Sequence, residues 1–196
     1  MESKLPPTFD APAWNVEATW ERARPCKGTV AAKFLLFHQI DVYPGSIIRF
    51  LPGIYFRRFI AAPAVILPMR RWPDATIVAL EAWPLSDDGL MSPRLDPEIW
   101  GGPDILGAAV QCGGAGSGSL ALTSSGLDAL RLFCALDEPC WGAIGFRLRD
   151  GIFLPPPPAA RVVTVVDAEP PMPQVVRRWR TEDREIRFRQ TYAEAG

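Results

Sequence analysis

Histidine is almost missing from this chain, with His38 alone in 196 residues. A serine-type relay needs a histidine beside its nucleophile, yet no G-x-S-x-G elbow occurs and His38 lies in an apolar run. A core histidine bonded to a backbone carbonyl is the expected role. Cysteine is scarce too: Cys26, Cys112, Cys134 and Cys140 form no C-x-x-C pair, and with one histidine they supply no zinc spacing. They read as structural thiols of a reducing compartment such as the cytoplasm, with Cys134 and Cys140 the pair that could meet around a helix end. No metal or cofactor is expected.

Long apolar runs are also lacking. The longest, 59–69, spans 11 residues and contains Pro63 and Pro68, whereas a membrane helix needs about 20 apolar residues. The opening MESKLPPTFDAP has no apolar stretch of the kind a secretory signal carries. Lysine is confined to Lys4, Lys27 and Lys33 against 18 arginines. Genomic base composition is enough to explain that bias, although guanidinium also suits buried interfaces and phosphates. The formal charge of −1 provides no global field for nucleic acid or an anionic membrane. The glycines of 113–118 match neither G-x-x-x-x-G-K-[ST] nor G-x-G-x-x-G, so a flexible loop is expected there rather than a phosphate cradle.

What the chain does have is apolar content: 48% hydrophobic residues, 22% charged and a mean hydropathy of +0.05. A chain of this length buries roughly 70% of its unfolded surface and needs no disulfide or metal to fold. The surplus of apolar residues hints at a buried interface.

Short apolar runs cut by Pro-Gly turns dominate 30–83. Segments 47–51 and 54–60 are rich in β-branched and aromatic residues and flank Pro52-Gly53, predicting two strands and a tight turn. Segments 33–40, 64–67, 75–83, 105–111 and 161–166 read as further strands, and 142–148 with 152–154 as a hairpin around Arg149-Asp150-Gly151. Asn15 is placed to cap a short helix ending near Arg22. The clearest helix is 125–136, with Ser125 as N-cap and Asp128 three residues on; its leucines surround it almost completely, so it should be buried. Pro155 to Pro158 predict an extended spacer. The tail, 174–192, alternates Ile186, Phe188, Gln190 and Tyr192 against Glu185, Arg187, Arg189 and Thr191, predicting a hairpin.

These elements predict a β-rich α+β fold, with sandwich or jelly-roll-like sheets and one buried helix near 125–136. The organisation expected is an N-terminal arm with a short helix over 1–24, a core domain over 25–168 and a C-terminal extension over 169–196. Charge is segregated within the core. Residues 42–73 carry five arginines and no acid, whereas 81–104 carry a net −5, and sequential segments of opposite charge are expected to lie side by side.

Functionally, the residues point to a non-enzymatic structural or assembly subunit acting through protein partners or self-association. The expected contacts are Arg57, Arg58, Arg178, Trp179, Arg180, Arg187 and Arg189, with arginine chosen for its bidentate fit to carboxylates. One alternative is an enzyme with a dispersed site around His38, Asp41 or the acidic 87–104 region. Another is nucleic-acid binding by the C-terminal arginine face, which is disfavoured because the acids of the tail reduce its six arginines to a net +2.

Overall fold

The computed structural model describes residues 15–41, 44–57, 60–101, 105, 107–114, 118–142, 160–167, 170 and 173–190. All but Gly142 of the hairpin expected over 142–154, the proline spacer of 155–158, most of the N-terminal arm and Arg58 lie outside the described residues.

Helix α1 (Val16–Arg22) starts where the Asn15 side chain accepts a hydrogen bond from the Ala18 N–H at 3.0 Å. Helix α2 (Val30–Phe37) occupies the run expected to be a strand, and His38 is its C-cap. Two features missed in the sequence decide the matter. Thr29 caps the start by accepting from the Ala31 N–H at 3.2 Å, and Ala31, Phe34 and Leu35 recur at helical spacing on the buried side. Strand β1 (Arg49–Phe56) runs straight through Pro52-Gly53, so the predicted turn is instead a register shift between Leu51 and Ile54. An edge strand tolerates proline at such a bulge because no ladder donor is lost.

Strand β2 (Ile60–Arg71) is the axis of the antiparallel half. Strand β3 (Ile77–Pro84) pairs along one edge of it, while its other edge is shared by β1, opposite 60–66, and β5 (Ala108–Cys112), opposite 69–71. Pro68 falls at the handover between these two partners, where a missing N–H interrupts neither ladder on that side. A short strand β4 (Glu98–Gly101) closes the far side of β3.

The second half is wound differently. Strand β6 (Ser119–Thr123) leads through α3 (Gly126–Leu136) to the parallel strand β7 (Cys140–Gly142). Strand β8 (Val162–Asp167) leads through α4 (Pro173–Trp179) to the parallel strand β9 (Glu185–Gln190). All nine strands form one mixed sheet, ordered β4-β3-β2-β5-β7-β6-β8-β9 with β1 beside β2. The fold is thus β-rich α+β, as composition and pattern predict. A single sheet with helices on both faces replaces the expected pair of facing sheets, because α2 and α4 supply the covering layers.

The two crossovers move in opposite directions along the sheet, β6 to β7 one way and β8 to β9 the other. Crossovers of one hand must then place their helices on opposite faces. The core agrees. Leu127, Ala129 and Leu130 of α3 pack with Phe34 and Leu35 of α2 against Leu67, Val110, Cys112 and Cys140. On the other face, Val175 and Trp179 of α4 pack against Ala109, Leu120, Leu122, Trp141, Val163 and Val165. Farther along that second face, α1 contributes Trp20 to a cluster with Phe56, Ile66 and Leu80.

The tail is corrected by the same packing. Val175 and Trp179 are buried one helical turn apart while Arg177 between them is exposed, which a helix allows and the expected hairpin, with all three on one face, does not. Proline at the first helical position suits α4, since its missing N–H would have had no intrahelical partner. Only the second half of the tail keeps the predicted strand alternation.

Candidate functional site

The residues nominated for chemistry do not converge. His38 sits half-buried at the end of α2, its ring 4.4 Å from that of Phe34 and 5.5 Å from that of Phe37. Its Nε2 is buried and has no hydrogen-bond partner among the described residues. Burial, reinforced by Arg131, holds its pKa below the ordinary value although Asp128 opposes the shift. Asp41 is exposed. Three of the described acids of 87–101 serve local structure: Asp88 accepts from the Ser86 hydroxyl and the Leu90 N–H in a turn. Asp96 pairs with Arg57 at 2.7 Å, and Glu98 accepts from the Arg57 N–H at 2.8 Å. That arrangement satisfies within one chain part of the charge segregation noted in the sequence. Among the described residues no group of three His, Cys, Asp or Glu side chains is placed to hold a metal ion.

The polar centre of the molecule is a residue not nominated for it. Glu81, fully buried on β3, reaches across β2 to the start of α3. Its Oε2 accepts from the Gly126 N–H at 2.7 Å, and its Oε1 from the Leu127 N–H at 3.4 Å and the Trp83 Nε1–H at 2.5 Å. A helix start leaves N–H groups without intrahelical partners and carries partial positive charge, so a carboxylate there satisfies both needs. Burial nevertheless dominates and pushes the Glu81 pKa up to about 7, against the three hydrogen bonds that favour the charged form. The close approach requires glycine at position 126, where a Cβ would collide with Glu81 Oε2 and Val110. One signal in the sequence pointed this way: Glu81 is the single charged residue in an apolar strand, and alternation puts it on the face of Ala79 and Trp83.

The nominated interaction residues divide between the two ends of the sheet. Arg57 is exposed beside β4. At the other end Arg178, Arg180, Arg187 and Arg189 are exposed, the first two at the end of α4 and the last two on β9. Trp179 is the correction among them: it is 0% exposed and forms the centre of the α4 core. The exposed aromatic on β9 is Phe188. Arg187 is held by its own strand, donating from Nε and Nη2 to the two Glu185 carboxylate oxygens at 2.9 and 2.8 Å.

Apolar exposure is greatest elsewhere. On α2, Leu36 is 69% and Phe37 71% exposed, and Leu136 at the end of α3 is 45% exposed. Helix α3 is therefore buried along its first half only, its second half emerging from the core. No helix among the described residues is long and apolar enough to cross a membrane.

Compared with protein-family models, curated proteins and solved structures, the chain matches none of them.

Proposed function

We propose that this protein is a non-enzymatic assembly subunit that works through protein contacts. The observation that carries this reading is the outer side of α2. Its inner residues Ala31, Phe34 and Leu35 are core, yet Leu36 and Phe37 are adjacent, large and mostly exposed. A single exposed leucine is ordinary on a folded protein, whereas neighbouring leucine and phenylalanine side chains held outward by a rigid helix form an apolar contact in need of a cover. Arginines at both ends of the sheet suit the polar rim of such contacts.

The test compares native mass with chain mass. Size-exclusion chromatography with light scattering, applied to the chain in extract from its own source, should give a particle heavier than the 21.6 kDa chain. Replacing both Leu36→Ser and Phe37→Ser should shrink that particle while leaving the melting temperature within a few degrees of its original value, since both side chains face outward. A native particle with the mass of one chain overturns the reading.

A further inference from the structure

Resting on the reading of this protein as an assembly subunit, we infer that β9 is the seam of a two-fold homodimer in which the sheet continues antiparallel into a second copy of the chain. A strand at a sheet edge presents unpaired backbone groups that template another strand, and folded proteins blunt such edges. Two of the three edges here are blunted. Strand β4 has only four residues. Strand β1 carries Pro52 and a bulge, and its outer side is engaged by the bridge between Arg24 and Phe50, with N–O distances of 2.9 and 2.7 Å. Strand β9 has neither device. It is six residues long, pairs with β8 without a register shift, and contains no proline, glycine or lysine. Five of its six residues are exposed, and among the described residues no strand pairs with its outer side at Ile186 or Phe188.

The strand is complementary to itself. The Glu185 N–H donates to the Arg161 carbonyl at 2.8 Å, so the backbone groups of 185, 187 and 189 turn towards β8 and those of Ile186 and Phe188 turn outward. A two-fold axis perpendicular to the sheet keeps each face continuous, so residues opposed across the seam must share a face. Centring the axis on Arg187 meets both conditions. Ile186 then exchanges backbone hydrogen bonds with the partner's Phe188, and Phe188 does so with the partner's Ile186, giving an apolar row on the α4 face.

On the opposite face Glu185 lies against the partner's Arg189 and Arg189 against the partner's Glu185. Between these pairs Arg187 meets the partner's Arg187, a like-charge contact offset by the bidentate bond each already makes to its own Glu185. A centre on Phe188 would set Arg187 against the partner's Arg189 twice with no acid opposite. A centre on Ile186 would set Glu185 against the partner's Arg187 twice but pair only residues 185–187 of the strand, with Arg189 facing the partner's Asp183 beyond its end. Among registers that keep the faces continuous and pair five residues of β9, the one centred on Arg187 is the one that sets opposite charges against each other.

Charge exchange tests this directly. In sedimentation equilibrium the purified full chain should approach twice its 21.6 kDa mass. Glu185→Arg alone, or Arg189→Glu alone, sets like charges across the seam and should weaken association by roughly tenfold to a hundredfold. An equimolar mixture of the two single variants restores opposite charges, as does the double variant in one chain, and both should dimerise like the original. That rescue also shows that the single variants are folded. Dimers that survive either single exchange, or single variants that stay monomeric when mixed, overturn the seam but leave the assembly reading standing. A purified chain that is monomeric at every concentration overturns the homodimer, and the native mass then decides separately whether a different protein covers the surface.

Discussion

A carboxylate ordinarily protonates far below neutral pH, so Glu81 makes one position of this chain sensitive to pH in the direction opposite to a salt-bridged acid. Its folded-state pKa of about 7 lies above the unfolded value near 4.5, so between these limits the folded state holds the extra proton. Stability from this group is present at low pH and is lost as pH rises from 4.5 through 7, by about 3 kcal/mol in all. His38 acts with the other sign: its lowered pKa disfavours the charged form in the folded state, so its contribution grows as pH rises towards the unfolded value near 6.5. The two partly cancel in the original chain. Glu81→Gln removes only the first, and it also leaves three N–H donors facing an amide with a single acceptor oxygen. Urea unfolding at pH 5 and pH 8 should therefore show the variant less stable than the original at pH 5, with the original losing stability between the two pH values relative to the variant. Parallel pH profiles for both chains would show that Glu81 does not titrate in this range.

Elements that cap themselves were legible in the sequence, and elements decided by packing were not. Ser125 with Asp128 marks the start of α3, and the structure keeps both contacts, the Ser125 hydroxyl accepting from the Asp128 N–H at 3.0 Å. Alternation likewise located β9, and the apolar run over 75–83 located β3. Helix α2 was hidden because in eight mostly apolar residues neither period stands out, and the Thr29 cap and the buried side of Ala31, Phe34 and Leu35 separate the two only once the chain is packed. Pro52-Gly53 announces a turn by local chemistry, but pairing with β2 carries the strand through it as a bulge. Trp179 lies among Arg177, Arg178 and Arg180 in the sequence and so reads as part of their contact; its full burial depends on α4 folding back over β8, which no local pattern encodes. The site was less legible than the fold, since two of the three partners of Glu81 lie 45 and 46 residues away in α3.

Contact between elements also sets a prediction about α3 and β7. The start of α3 lies so close to β7 that a Cβ on Gly142 would run into the Ser125 carbonyl oxygen and the Gly126 backbone. Backbone on both sides cannot step aside as a side chain does. Gly142→Ala should cost about 3 kcal/mol or more, whereas Gly45→Ala, with nothing within 4 Å of its added carbon, should change stability by less than about 1 kcal/mol. Denaturant midpoints of the two variants measure the difference, and equal midpoints would mean that α3 does not sit on β7 as described.

At the scale of the whole molecule, one sheet joins two halves of different winding. The strands of the antiparallel half are long and share β2; the parallel half is built from two strand–helix–strand units whose helices take opposite faces. Growth of the proposed dimer by strand addition would be directional as a result. Only the parallel half ends in an unblunted strand, so association through β9 closes a pair and leaves the short β4 edges at the two far ends, where further strand addition has little to grip.

The halves meet at a narrow place. Strand β2 pairs with β3 at seven positions but with β5 at only three, from Met69–Val110 to Arg71–Ala108, and β5 pairs with β7 at three more. Glu81 is the one buried polar side chain whose described hydrogen bonds bridge that junction, fastening β3 of one half to α3 of the other. Sub-global opening follows the least-connected boundary of a fold, so the two halves should exchange their amide hydrogens as separate groups. Native-state hydrogen exchange should show one opening free energy shared by the amides of β2 and β3 and a different one shared by those of β6 and β8. A single value across the whole sheet would mean that three ladder pairs and one glutamate are enough to make the halves open as one.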